Sequence, residues 1–198
     1  MATVQDAHPA FRPSASPCGL ARGAERMPEI VEMPASDTVS DADFKTAMRQ
    51  VTSSVAVITA RSGKARNGLT ATAVCSVSAE PPMMLVCINR SATAESLIAE
   101  SGSFAINFLS EEQHRIARLF STSKLSAEER FGEGRWLSMA TGSPVLEGAV
   151  ATFDCKVVER VLSGTHHIYF GRVVGVTSLD QKALLYRDGS FRRLAAVG

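Results

Sequence analysis

Residues 67–89, NGLTATAVCSVSAEPPMMLVCIN, constrain this chain more than any other stretch. Small, hydroxyl-bearing and β-branched residues run up to a double proline, and an apolar run follows. The composition predicts a strand over 69–78, a turn at Pro81-Pro82 and a second strand over 83–89. On a strand, Thr70, Thr72, Ser76 and Ser78 share one face, and Ala71, Ala73 and Val77 take the other. A solvated face would carry Lys, Glu or Arg, and a core face Leu, Ile or Phe. A row of short hydroxyls is neither: it lets a flat ligand come close and offers it donors and acceptors. The same row also suits a tightly packed barrel strand at a close backbone contact, and both readings stand at this point.

The rest of the chain extends the β pattern. Residues 1–38 are rich in Pro, Ala and Ser without sustained periodicity, and read as an arm ahead of one domain over 39–198. Ser40 and Asp41 open a helix whose Phe44, Ala47, Met48 and Val51 recur at i, i+3, i+4 and i+7. Strands are predicted at 55–60, 104–109, 149–162 and 165–179, and a cationic turn at 61–68, consistent with a hairpin. Short helices are predicted at 93–101, from the capping box Ser110/Gln113 to Phe120, and at 127–131. A last strand pair, near 183–187 and 191–194, is joined by Asp188-Gly189. Six or seven mostly antiparallel strands without sustained β-α-β alternation predict a closed or split antiparallel barrel.

Charge and motifs exclude several functions. A net charge of +1 gives no electrostatic case for nucleic acid. No apolar run approaches the ~18 residues of a membrane span, and no apolar segment of a signal peptide precedes residue 26, so cytoplasm is expected. The four cysteines form no CxxC pair, and no metal-ligand spacing is present, so neither a disulfide framework nor a metal is expected. There is no GxGxxG after a strand, no P-loop, no GxSxG and no HExxH. A nucleotide cofactor would therefore have to be held by barrel strands and loops.

Three segments carry candidate chemistry. Ser91 and Thr93 lie between a strand and a helix, where hydroxyls and free amides converge on an anion, with Arg90 adding charge. Plain N-capping explains the same residues. His166 and His167 start a strand and face opposite ways, so they do not share one metal. Residues 186–191, YRDGSF, form an aromatic–turn–aromatic hairpin, which stability alone would also explain.

The order of these elements resembles the short-chain NAD(P)H:flavin reductases, the reductase components of two-component flavin monooxygenases. The resemblance rests on FKTAM at 44–48, GLTATAVCSV at 68–77, Pro81-Pro82, Arg130-Phe131, Trp136, TFDC at 152–155, Gly164-Thr165-His166, Phe170-Gly171 and the 186–191 hairpin. It covers about four-fifths of the chain. It implies a mainly β fold: an FMN-binding split antiparallel β-barrel of Greek-key type with a few short helices, working as a homodimer. It implies that Thr70, Ala71, Thr72, Ala73, Val74, Ser76 and Val77 line the flavin ring and ribityl chain. It implies that Ser91, Ala92, Thr93, Ala94, Glu95, Ser96 and Leu97 hold the flavin phosphate. His166 matches a family histidine where nicotinamide docks, and His167 a variable position. Tyr186, Arg187, Asp188 and Gly189 match the hairpin that helps hold the pyridine nucleotide. Thr165 replaces an acidic residue common in that motif.

The implied reaction is hydride transfer from NADH to FMN or FAD, with the protein aligning the two and excluding water. No protein acid or base is required, so His166 orients the nicotinamide. The electrons are expected to reach a partner oxygenase. The alternatives are a corrinoid acceptor, cob(II)yrinic acid a,c-diamide, and a module that binds flavin without turnover.

Overall fold

The computed structural model describes residues 39–196. The predicted arm, residues 1–38, lies outside the described residues. Helix α1 (Asp41–Met48) starts where expected, with the Ser40 hydroxyl accepting from Asp43 N at 3.1 Å. Its apolar stripe is not buried: Phe44 is 58% and Met48 49% exposed. Strand β1 (Ser53–Ser54) leads into β2 (Ala56–Ser62) and β3 (Ala65–Ala71), then β4 (Val74–Ala79) and β5 (Pro82–Asn89). Helix α2 (Thr93–Ser101) and strand β6 (Ser103–Phe108) follow. The Ser110/Gln113 capping box opens a 3₁₀ turn that continues into α3 (His114–Ser121). Helix α4 (Ala127–Phe131) is capped by Ser126. The chain ends with β7 (Trp136–Ser138), β8 (Pro144–Leu146), the long pair β9 (Ala151–Ser163) and β10 (His166–Ser178), and the hairpin β11 (Leu185–Arg187)–β12 (Ser190–Arg192).

Two expectations need correction. The hairpin expected at 61–68 forms, but its turn does not fill those residues: β2 and β3 run through them and reverse at Gly63-Lys64. Nor is 69–78 one strand. It breaks at Thr72-Ala73, because the two halves find different partners. Ala71 pairs with Ala56 of β2, whereas Val74 pairs with Val86 of β5.

That break shapes the sheet. Seven antiparallel strands lie in the order β3-β2-β6-β9-β10-β5-β4, so β3 and β4 are opposite edges. A flat sheet would separate those edges by roughly 29 Å, six strand spacings. The three steps from Ala71 to Val74 span at most about 11 Å. The sheet must therefore curl until its edges approach without pairing, which is a split barrel. The small side chains of Ala71 and Ala73 leave room for the turn, and Val74 N donates to Thr72 O across it at 3.1 Å.

Burial follows the curl. Strand β2 is covered on both faces, as its unbroken apolar run requires. Ala56, Ile58 and Ala60 pack inside the barrel with Val86, Ile88, Phe104, Ile106 and Tyr169. Val55 and Val57 pack outside it with Ile116, Phe120, Phe131 and Leu184, beneath α3 and α4. Buried Asn107 locks this outer layer: its amide donates to Val57 O at 3.1 Å and its carbonyl accepts from Leu146 N at 2.8 Å. Phe120, Phe131 and Trp136 stack edge to face or tilted, with centroids 4.8 to 5.3 Å apart.

Candidate functional site

Along β3, where α2, α3 and the β11–β12 hairpin approach it, three hollows meet. The first, about 480 Å³, is lined by Thr70, Asn89, Ser91, Ala92, Thr93, Ala94, Phe120, Ser121–Ser123 and Arg130. The second, about 260 Å³, shares Thr70 and continues over Ala71, Thr72 and Ala117 to Tyr186 and Phe191. The third, about 360 Å³, shares Thr72 and Tyr186 and ends on Lys45, Arg49, Asp188 and Gly189. They make one cleft, with α2 at one end and the hairpin at the other.

The α2 end is built for an anion. Helix α2 has Ala92 at its N-cap and no side-chain cap, so its first amides are not taken by the expected Ser91 or Thr93 hydroxyls. Ser91 Oγ instead donates to Asn89 Oδ1 at 2.8 Å, and Thr93 Oγ1 accepts from Asn67 Nδ2 at 3.0 Å. Arg130, 5% exposed, reaches in from α4. One terminal nitrogen donates to Asn67 Oδ1 at 2.8 Å and Gly68 O at 3.1 Å, the other to Thr122 O at 2.8 Å. Its buried Nε has no partner among the described residues. A flat, phosphorylated ligand fits this donor set.

Glu95, Ser96 and Leu97 line none of the cleft. The Glu95 carboxylate, 13% exposed, points beneath the helix. It accepts from Tyr169 Oη at 2.6 Å and lies 2.7 Å from His167 Nδ1 and 3.7 Å from Arg160. Burial pulls its pKa up, but the hydrogen bonds from Tyr169 and His167 and the nearby cations outweigh this and hold it below the ordinary value. Burial, reinforced by the hydrogen bond to Glu95, pushes the Tyr169 phenol to about 12, so it stays a donor. Glu95 thus ties the first turn of α2 to β10, and Ser96 Oγ bonds back to Thr93 O.

A depressed carboxylate pKa contributes stability that is present above the unfolded value, 4.5, and lost as pH falls through the folded one. Glu95→Gln should therefore unfold in less urea than the parent near pH 6, with the gap closing toward pH 3. A gap that does not vary with pH would sink the assignment.

The flavin-facing set divides at the break in 69–78. Thr70, Ala71 and Thr72 line the cleft, and the Thr70 hydroxyl donates to Ala117 O at 2.7 Å, leaving its lone pairs for a ligand. Val74 and Ser76 line a separate apolar groove with Met83, Phe108 and Phe153. Val77 sits in a β-bulge, 46% exposed, and Ala73 lines neither hollow.

At the other end Tyr186 meets Phe191 edge to face at 5.9 Å. Asp188 and Gly189 have φ of 49° and 73°, the left-handed pair of a two-residue hairpin turn. Arg187 donates to Gln50 Oε1 at 3.0 Å, and Asp188 N to Arg49 O at 3.1 Å, holding the turn against the end of α1. His166 is exposed, pairs in register with Asn89 and bonds Thr165 through Nδ1. Arg90 N donates to Thr165 O beside it at 3.0 Å, and His166 lines none of the three hollows.

The sequence reading passed over Asn67, Thr122 and the full part played by Arg130. Their only signal was Arg130-Phe131 behind the Ser126/Glu129 capping box.

Comparison with known proteins bears on this architecture. Residues 48–195 match the family described as flavin reductase like domain. The chain is 40% identical over 156 residues to the FMN reductase (NADH) RutF of Variovorax paradoxus, spanning 78% of this chain and 86% of that one. It is also 40% identical over 160 residues to the same-named protein of Serratia proteamaculans, spanning 80% and 91%. Among solved structures it superposes on BorF, the flavin reductase component of a bacterial two-component tryptophan halogenase, with a TM-score of 0.73, 29% identity and coverage of 80% and 100%. The NADH:FAD oxidoreductase of Streptomyces globisporus, solved with NAD and FAD fragments, superposes with a TM-score of 0.72, 28% identity and coverage of 78% and 92%. With nearly the whole described domain matched and the split barrel in place, the chain belongs to the flavin reductase like domain family.

Proposed function

We propose that this protein transfers hydride from NADH to FMN or FAD and passes the reduced flavin to a partner oxygenase. One observation carries the reading: a single cleft joins an anion-binding end at α2 to an aromatic hairpin at β11–β12. The activity named for the RutF relatives and the reductase role named for BorF agree with it. Bound flavin supplies the hydride acceptor; the protein supplies geometry. The amides of Thr93 and Ala94, with Ser91, take the flavin phosphate, and Arg130 fixes Asn67 against Thr93 at that end. Thr70, Ala71 and Thr72 give the ring a close, hydroxyl-bearing wall. Tyr186, with the 187–189 turn, holds the nicotinamide over that wall and keeps water out. The assignment of His166 to nicotinamide rests on resemblance alone.

The second copy of a homodimer is assigned to the exposed β9–β10 face. Val174 and Val176, 38% and 59% exposed, lie open there and line the apolar groove of about 630 Å³. An exposed patch of this kind marks an interface. Light scattering should return twice the chain mass; a monomer would remove the assignment. Free Cys75, Cys87 and Cys155 suit the cytoplasm, where NADH is the reductant. Neither the fold nor the cleft offers an observation that favours a corrinoid acceptor.

The test is anaerobic mixing of the protein, NADH and FMN or FAD, followed by loss of the flavin's visible absorbance. Protein-dependent bleaching supports the reductase. Flavin binding without bleaching would leave a binding module.

A further inference from the structure

Glu95 is the third residue of α2 and faces away from the cleft: Ser91, Ala92, Thr93 and Ala94 line the anion-binding hollow, and Glu95 does not. Three groups from β9 and β10 converge on one of its oxygens. Oε1 accepts from Tyr169 Oη at 2.6 Å and faces His167 Nδ1 at 2.7 Å and Arg160 at 3.7 Å. The Tyr169 and His167 rings meet edge to face at 6.0 Å. Tyr169 is buried, and the side chains of Glu95 and His167 are nearly so. The helix does not depend on this cluster for its seat, because Ile98 and Ala94 already bury against the sheet. A buried ion pair is weak evidence for stability, since desolvation offsets much of its attraction. A carboxylate in the first turn also opposes an anion at the same amides, and the β9 and β10 cations offset that opposition. The cluster therefore sits where a binding role explains it better than a folding role does.

We propose that Glu95, His167 and Tyr169 are positioning residues for the flavin phosphate: they fix the first turn of α2 so that its amides select a phosphorylated flavin over riboflavin. The inference rests on the reductase reading and deepens it. Donors at a binding site act only when held to within about 0.5 Å of the productive geometry. On the cleft side the turn is held by Asn89, whose Oδ1 accepts from Ser91 N at 2.9 Å and Ser91 Oγ at 2.8 Å. Strand β10 is in register with β5 here, His166 opposite Asn89 and His167 opposite Ile88. Residues 166–169 of β10 thus fix the end of β5 through the backbone ladder and the start of α2 through Glu95. The turn that carries the phosphate amides is framed from both sides.

Fluorescence titration gives Kd for FMN and for riboflavin, which lacks the phosphate. Glu95→Ala and His167→Ala should each raise Kd for FMN roughly tenfold while Kd for riboflavin stays within about twofold. His167→Asn, whose amide nitrogen stands close to the place of Nδ1, should bind FMN within about threefold of the parent. The sign in Glu95→Ala separates position from charge. Removing a negative charge beneath the amides would by itself tighten FMN, so a lower Kd in that variant overturns the proposal. An equal rise for both flavins would show that the cluster only braces the fold, and overturns it as well. So does an unchanged Kd for FMN in His167→Ala, which decides the matter alone where Glu95→Ala does not fold. A parent that binds FMN no better than riboflavin has the same effect. Failure of the parent to bleach flavin with NADH would strike the reductase reading alone, because both dissociation constants are read without NADH.

Discussion

Arg130→Met should lower the stability of the domain by about 3 kcal/mol and weaken flavin binding at least tenfold. Both effects follow from one side chain. Its three hydrogen bonds tie α4 to Asn67 and Gly68 of β3 and to Thr122 just after α3. A hydrogen bond from a charged donor is worth about 1.5–3 kcal/mol, and a buried acceptor left empty loses its solvation as well. Methionine matches the length but strands the Gly68 and Thr122 carbonyls. The flavin effect enters through Asn67, whose Oδ1 accepts from Arg130 while its Nδ2 donates to Thr93 at the uncapped start of α2. Without Arg130, Asn67 is free to turn away and the anion end of the cleft loosens. Arg130→Lys should rescue little, because one ammonium cannot reach carbonyls on two sides as a planar fork does. Urea unfolding and flavin fluorescence titration check the two effects. A variant that loses stability yet binds flavin normally would show that Arg130 only braces the barrel.

The part of this arrangement that was legible in the sequence is local. Helix α4 lay where Ser126 and Glu129 cap it, and α2 stops at Gly102 in a left-handed conformation, because short-range signals decide those two ends. The hairpin turn at Asp188-Gly189 was legible for the same reason. Long-range choices were not. Residues 69–78 carry one uninterrupted strand composition, and only the competition between β2 and β5 for partners divides them. The division then sends Val74, Ser76 and Val77 away from the hydroxyls of Thr70 and Thr72. Arg130 acts through residues up to 63 positions away, a pairing no local pattern encodes. Glu95 was expected, by resemblance, to help hold the flavin phosphate, yet its carboxylate meets Tyr169 and His167, 74 and 72 residues on. His167, matched only to a variable position, proves to be one of the residues that hold α2 in place.

Gly171→Ala should cost about 2–3 kcal/mol, through a contact that neither strand reveals alone. A Cβ at residue 171 would stand 2.5 Å from Phe104 Cζ and 2.8 Å from Cys155 Cβ, closer than carbon atoms approach. Phe104 is fully buried in the barrel interior, so it has no solvent to swing into. Overpacking of this kind costs about 1–3 kcal/mol, at the upper end where the neighbour cannot move. Gly171 also sits at a register shift between β9 and β10, where the ladder has little freedom to relieve the clash. For a domain of this size the melting temperature should fall by roughly 4–12 °C. The cause can be isolated. Phe104→Leu removes the ring edge that the new methyl would strike, so Gly171→Ala/Phe104→Leu should lose clearly less than the sum of the two single changes. Strict additivity would mean that the glycine serves the backbone at the register shift and not the ring. A neutral Gly171→Ala would mean that the sheet relaxes there. Flavin binding should change little in any of these variants, since Gly171 and Phe104 line no part of the cleft. The glycine therefore separates what the barrel needs in order to close from what the cleft needs in order to bind.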